Sequence, residues 1–255
     1  MNEGQEMSDA ALAAELAAST GRLLIEVRKS AFLSGIAMGA AGSAIAQEFL
    51  VHSLAAIRPS QAVLSKGSSD DPARLAERDV WIIHGLDGAR EYAQGRDDFA
   101  VHVALAHDGA PVIGAIALPG RGTTFSTVDA LNLEKVPARP LRIVINRTRR
   151  LAFFAEHVAD ALGAELVAMG SIGAKTVAVL RGEVDAYIRA IGQHEWESAA
   201  PVAVAHNAGL HASRLDGSPL RFNQLDTFQG DFLVCRRELA PGLLAAVADA
   251  QRSDR

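Results

Sequence analysis

Along the first sixty positions the apolar residues recur at helical spacing. After Ser8-Asp9, the residues Leu12, Leu16, Leu23, Leu24 and Val27 fall near one face, with Ser8 or Asp9 as N-cap. Residues 33–43 are rich in Gly and Ala and poorly periodic, which reads as a loop or a frayed helix end. Helical spacing resumes over residues 44–57 through Ile45, Phe49, Leu50 and Leu54, and stops at Pro59. The pattern then shortens. Ala62-Val63-Leu64 is a brief strand opening into the polar run 65–71, and Val80-Trp81-Ile82-Ile83 reads as a strand buried on both faces. Residues 99–106 and 111–118 flank a loop containing Asp108-Gly109 and predict a β-hairpin, with a further strand over 123–127. The proline-bearing stretch 131–140 reads as a linker. Beyond it, strands are predicted at 141–145, 165–169, 184–188 and 231–235. Helices are predicted at 149–162, 171–180, 195–207 and 238–250. This alternation predicts a layered α/β fold in two lobes, an α+β lobe over 1–136 and an α/β lobe over 137–255.

Composition narrows the partners. The chain has 255 residues, 49% of them hydrophobic, enough for one large core or two lobes sharing an interface. Its formal net charge of -5 leaves no basic footprint, so no nucleic acid and no membrane is expected as a partner. The lone Cys235 lies in an apolar run and reads as core filler. The opening MNEGQEMSDAALAAEL lacks the basic start and apolar middle of a signal peptide, and the Ala/Gly-rich run 33–46 is too short to span a bilayer. A cytoplasmic protein is expected.

Three clusters could carry chemistry. The first is His84-Gly85-Leu86-Asp87-Gly88-Ala89-Arg90-Glu91, at the carboxyl end of the buried strand, where Asp-Gly supplies a turn and a His beside a carboxylate could act as a base or bind metal. The second is Gly170-Ser171-Ile172-Gly173-Ala174-Lys175, a helix start whose free amides favour an anion, with Lys175 adding charge one turn in. It lacks the Walker spacing, so a nucleoside triphosphate is not implied. The third is Gly192-Gln193-His194-Glu195-Trp196-Glu197, whose two carboxylates, two apart, cannot share one helical face unless the helix begins between them. Each also has a plain reading as a turn or a cap.

In this order and at these separations the three clusters resemble the inositol monophosphatase superfamily, closest to its bacterial 3'(2'),5'-bisphosphate nucleotidase branch. WIIHGLDGA stands for the family's first motif, Gly170 to Lys175 for its G-S-x-x-x-K segment, and Trp196-Glu197-Ser198-Ala199-Ala200-Pro201 for its W-D segment. Leu215-Asp216-Gly217-Ser218-Pro219-Leu220 is similar to the nucleotidase tail. The resemblance implies a five-layer αβαβα sandwich with a largely antiparallel N-terminal sheet, Mg²⁺-dependent hydrolysis of a phosphomonoester, and often a homodimer.

The implied metal ligands are altered. Lys66-Gly67 stands where the family has Glu-Glu, His84 where it has Asp, Gly85 for Pro, Ala89 for Thr, Ser43 for an early Asp and Glu197 for Asp. Asp87, the Leu86 carbonyl and Glu197 remain as oxygen ligands. An ammonium at ~4 Å from a metal ion costs roughly 4 kcal/mol per unit charge pair at an effective dielectric of 20. The reading that follows is a scaffold that has lost Mg²⁺-dependent hydrolysis and needs no cofactor. It would bind or convert a phosphate- or sulfate-bearing small molecule similar to adenosine 3',5'-bisphosphate between its lobes. Lys66, His84, Asp87 and Glu197 would be its catalytic set. Gly88, Ala89, Arg90, Gly170, Ser171, Lys175, His194, Trp196 and Asp216 would contact the ligand. Lys66 would bind phosphate or ion-pair with Asp87 or Glu197. One alternative is a weak Mg²⁺-dependent 3'(2'),5'-bisphosphate nucleotidase using Asp87, Glu197 and Glu91. Another is a non-catalytic ligand-binding or partner subunit.

Overall fold

A computed structural model describes residues 7–67, 70–133, 139–147 and 152–253. Two long helices open the chain, α1 (Asp9–Lys29) and α2 (Gly35–Ile57). Ser8 caps α1 by accepting the Ala11 amide at 3.3 Å. The run expected to be a loop or a frayed end is helical from Gly35 onward. Two of its glycines are there for packing: a Cβ on Gly39 would lie 2.9 Å from the Ala89 carbonyl oxygen, and one on Gly42 would lie 2.7 Å from the Tyr92 ring. Close approach to a neighbouring helix, which leaves no periodic signature, is what broke the pattern. The apolar stretch expected to be too short for a bilayer belongs to a 23-residue helix, the one helix among the described residues long and apolar enough to cross a membrane. Of its most apolar window, 28% is buried inside the fold.

The first sheet follows, with strand order β1-β2-β3-β4-β5: β1 (Ala62–Ser65), β2 (Asp79–Asp87), then, beyond the short helix α3 (Ala89–Ala93), β3 (Ala100–His107), β4 (Ala110–Leu118) and β5 (Thr123–Ser126). Only β1 and β2 are parallel, and β3–β4 is the predicted hairpin. The strand read from Val80-Trp81-Ile82-Ile83 is buried on both faces, with Trp81 and Ile83 packing toward α1 and α2 and Val80 and Ile82 toward the opposite side. It continues to Asp87, with a register shift against β3 between His84 and Asp87. Asp-Gly turns as expected, Gly88 being left-handed (φ +85°).

The second half supplies β6 (Arg142–Asn146), α4 (Ala152–Leu162), β7 (Glu165–Met169), α5 (Ile172–Leu180), β8 (Ala186–Arg189), the two-residue β9 (Gln193–His194) and α6 (Glu195–Asn207). It then adds β10 (His211–Ser213), the two-residue β11 (Phe228–Gln229), β12 (Phe232–Cys235) and α7 (Ala240–Ser253). Their sheet has the order β10-β12-β8-β6-β7, and β9 pairs separately with β11. The central part of the expected linker, residues 134–138, and the start of the expected helix at 149–151 lie outside the described residues.

Three apolar cores define five layers. One lies between α1/α2 and the first sheet, one between the two sheets and around α5 and α6, and one between the second sheet and α4/α7. This is the αβαβα sandwich. The layering brings the end of β2, the start of α5 and the start of α6 together.

Candidate functional site

Asp87, 6% exposed at the end of β2, is committed to the start of α5. Its Oδ2 accepts the Ser171 hydroxyl at 2.5 Å, the Ile172 amide at 2.6 Å and the Gly173 amide at 3.1 Å. One residue earlier the Gly170 amide donates to Asp98 at 2.7 Å. A helix start has unpaired amides and a positive dipole end, so it takes an anion. Here carboxylates of the chain itself fill that role. Burial pulls the Asp87 pKa up, while His102, His84, the Ser171 hydroxyl and Lys175 pull it down further, to about 2. Both imidazoles are uncharged at neutral pH, so there the hydroxyl, the amides and Lys175 hold it down.

Two cations stand behind this cap. Lys175 is 2% exposed; its Nζ donates to the Met169 carbonyl at 3.3 Å and lies 4.9 Å from the centre of the Tyr187 ring. Burial lowers its pKa to about 8, with Asp87 opposing. Arg189, at the end of β8, donates from Nε to the Ile191 carbonyl at 3.1 Å and from Nη2 to the Gly192 carbonyl at 2.9 Å, with Glu197 at 4.0 Å. Glu197 accepts the His194 amide at 2.9 Å, closing the start of α6. Glu195 points elsewhere, accepting the Asn223 and Gln224 amides at 2.6 and 2.8 Å. The imidazole of His194 stacks on Trp196 at 4.5 Å and 9°.

His84 and His102 form a buried pair beside Asp87. Their rings meet edge-on at 5.9 Å, and His102 Nε2 lies 3.5 Å from Asp87 Oδ2. None of their ring nitrogens has a hydrogen-bond partner among the described residues. Burial drives the His84 pKa down to about 3 and lowers that of His102, Asp87 opposing in both. A cavity of about 340 Å³ opens next to His84, lined also by Ser43, Gln47, Glu48, Lys66, Gly67 and Leu86.

Lys66 is exposed in the turn after β1. The expected ion pairs are absent: the partners of Asp87 are Ser171, Ile172, Gly173 and His102, and those of Glu197 are His194 and Arg189. Of the expected ligand contacts, Gly170, Ser171, Lys175, His194 and Trp196 gather at the junction just described. Ala89 and Arg90 instead line a separate apolar cavity of about 420 Å³ against α2, with Gly88 turning the chain into it. Glu91 receives Arg147 at 3.1 Å. Asp216 is exposed and closes its own turn on the Ser218 amide and hydroxyl at 2.8 and 2.6 Å. Sequence reasoning missed Arg189, His102 and Glu48.

Mg²⁺ requires a shell of hard oxygens in near-octahedral geometry. Among the described residues no group of three or more His, Cys, Asp or Glu is placed to hold a metal ion. Asp87 Oδ2 already accepts three hydrogen bonds, and the neighbouring strand-end position is the neutral His84.

The five-layer sandwich places its polar centre at a strand end between two helix starts. A model of the inositol monophosphatase family matches residues 40–252, and the chain belongs to that family. A 3'-phosphoadenosine 5'-phosphate phosphatase of Mycobacterium tuberculosis (strain CDC 1551 / Oshkosh) is 48% identical over 242 residues, 91% of this chain and 90% of the relative. Its counterpart in Mycobacterium leprae is 45% identical over 258 residues, 96% and 95% of the two chains. Among solved structures, CysQ from Bacteroides thetaiotaomicron matches the fold with a TM-score of 0.77 at 23% identity, covering 90% of this chain and 97% of its own.

These relatives correct the expectation that hydrolysis has been lost and the scaffold repurposed. Relatives at this level of identity are named as phosphatases. The expected repulsion placed Lys66 at ~4 Å from a metal ion at an effective dielectric of 20. An exposed Lys66 is screened by water and salt, which reduces its repulsion several-fold.

Proposed function

We propose that this chain is a phosphatase acting on a phosphorylated adenosine, with 3'-phosphoadenosine 5'-phosphate the first substrate to test. The similarity to the two mycobacterial phosphatases, over nine-tenths or more of the chain, carries this reading. Water adds to phosphorus and the 3' P–O bond breaks, giving adenosine 5'-phosphate and orthophosphate. Arg189, its side chain 14% exposed, is the cation that meets the phosphate oxygens. Lys175, more deeply buried, adds positive potential from behind, and the cap formed by Asp87 and Ser171 fixes the helix on which Lys175 sits. Trp196 and His194 form the wall beside it.

The test is phosphate release from adenosine 3',5'-bisphosphate and from inositol 1-phosphate, measured in Mg²⁺, in Mn²⁺ and in chelator. Release with kcat/KM at least about tenfold higher for the nucleotide is the expected result. Equal or greater preference for inositol 1-phosphate would overturn the adenosine assignment.

A further inference from the structure

We infer that the exposed face of Phe228 is the platform on which the purine ring of the substrate stacks. This rests on the proposed action on a phosphorylated adenosine.

Phe228 is 54% exposed, yet its ring is held from several sides. It opens β11 and pairs with His194 of β9, and its ring meets the His194 imidazole edge-on at 5.6 Å and 77°. His194 in turn lies parallel on Trp196 and has Nδ1 3.1 Å from the Thr227 hydroxyl. The Phe228 amide donates to Asp226 at 2.9 Å, which fixes the turn before it. Three aromatic rings thus run in a row from the start of α6 out to solvent.

Gly192 sets the ring's position. A Cβ at residue 192 would come within 1.8 Å of the Phe228 ring, so the ring lies directly across the backbone there. The carbonyls of Ile191 and Gly192 are the acceptors of Arg189. The segment that grips the proposed phosphate-binding guanidinium therefore also seats the exposed ring. Fixing both on one short stretch sets the spacing between an anion contact and an aromatic contact, which a nucleoside phosphate needs.

Phe228 also borders a cavity of about 300 Å³ whose lining includes Ser218, Arg221, Gln224 and Gln229. Arg221 and Gln224 are both exposed, and the Gln224 Nε2 donates to the Phe222 carbonyl at 2.8 Å. A flat heteroaromatic ring with polar edges fits this arrangement, with a π-face on Phe228 and ring nitrogens toward the exposed Arg221.

The test is calorimetric titration of the full chain, wild type, Phe228→Ala, Phe228→Tyr and Gly192→Ala, with adenosine 3',5'-bisphosphate and separately with orthophosphate. Circular dichroism checks the fold of each variant. Base stacking on an aromatic residue corresponds to roughly a 5- to 150-fold change in affinity. Phe228→Ala is expected to weaken the nucleotide by about tenfold or more while orthophosphate affinity stays within about twofold of wild type. Phe228→Tyr should restore nucleotide affinity, and Gly192→Ala, by displacing the ring, should reproduce the Phe228→Ala loss. Equal nucleotide affinity in wild type and Phe228→Ala overturns the inference, even when wild type turns the nucleotide over. Loss of both ligands together in Phe228→Ala also overturns it, as does a change only in self-association by sedimentation. A wild type that binds nucleotide through Phe228 but releases no phosphate would instead overturn the phosphatase reading and leave the stacking platform standing.

Discussion

The Asp87 carboxylate accepts the Ser171 hydroxyl at 2.5 Å, joining the end of a strand in the first sheet to the start of a helix packed beneath the second. The contact is 84 residues long-range in sequence, and the same oxygen also caps the Ile172 and Gly173 amides. A position the family resemblance reads as a metal ligand is here the clasp between the two halves of the chain.

Asp87→Asn should therefore cost stability. An amide oxygen accepts these three bonds more weakly than a carboxylate, and a loss of about 1–3 kcal/mol in urea unfolding is expected. With the folded pKa near 2 against an ordinary value of 3.8, the charged form stabilises the fold above pH 4. That contribution disappears as pH falls from about 4 to about 2. The variant should lose this acid-sensitive limb.

The buried histidines set a second, higher window. His84 has its pKa lowered to about 3 from 6.5, so between those values the unfolded chain binds a proton that the folded chain does not. Stability should fall as pH drops below about 6.5, by up to about 1.4 kcal/mol per pH unit for one such group. In His84→Gln the slope of unfolding free energy between pH 6 and 4 should be shallower by up to that amount. An unchanged slope would mean that His84 is protonated in the folded protein.

Arg189→Ala should raise KM for adenosine 3',5'-bisphosphate by about tenfold or more, because a charge-assisted contact to phosphate is removed. Arg189→Lys keeps the charge but cannot reproduce the fork onto the Ile191 and Gly192 carbonyls, and should recover only part of the loss. Steady-state kinetics on the three proteins checks this.

Gly42→Ala separates helix propensity from packing. Alanine gains up to about 1 kcal/mol in a helix interior, but its Cβ would stand 2.7 Å from a Tyr92 ring whose hydroxyl is anchored on the Leu24 carbonyl at 2.8 Å. Overpacking of this kind costs about 1–3 kcal/mol, so a net loss is expected in thermal or urea unfolding.

The same glycine shows what the sequence conceals. Val80-Trp81-Ile82-Ile83 is legible as a strand because continuous apolar character means burial on both faces, and the hairpin at Asp108-Gly109 is legible because the turn demands those residues. Gly39 and Gly42 of α2 broke the helical pattern through contacts with α3, which no local window contains. At the site, the amides of Gly170 to Gly173 were readable as anion donors. That Asp87 and Asp98 fill them depends on layering that brings residues over seventy apart together. Arg189 closes a short strand with no motif around it, and only the fold reveals its grip on the next two carbonyls. Lys66 shows the reverse: the alignment of motifs located it, and its exposure decided how much its charge counts.

The most direct test of the phosphatase assignment is a ³¹P NMR time course of adenosine 3',5'-bisphosphate with the purified protein, in Mg²⁺ and in Mn²⁺. The account predicts loss of the 3'-phosphate resonance and matched growth of orthophosphate and adenosine 5'-phosphate. An unchanged spectrum with folded protein at high enzyme concentration would contradict it.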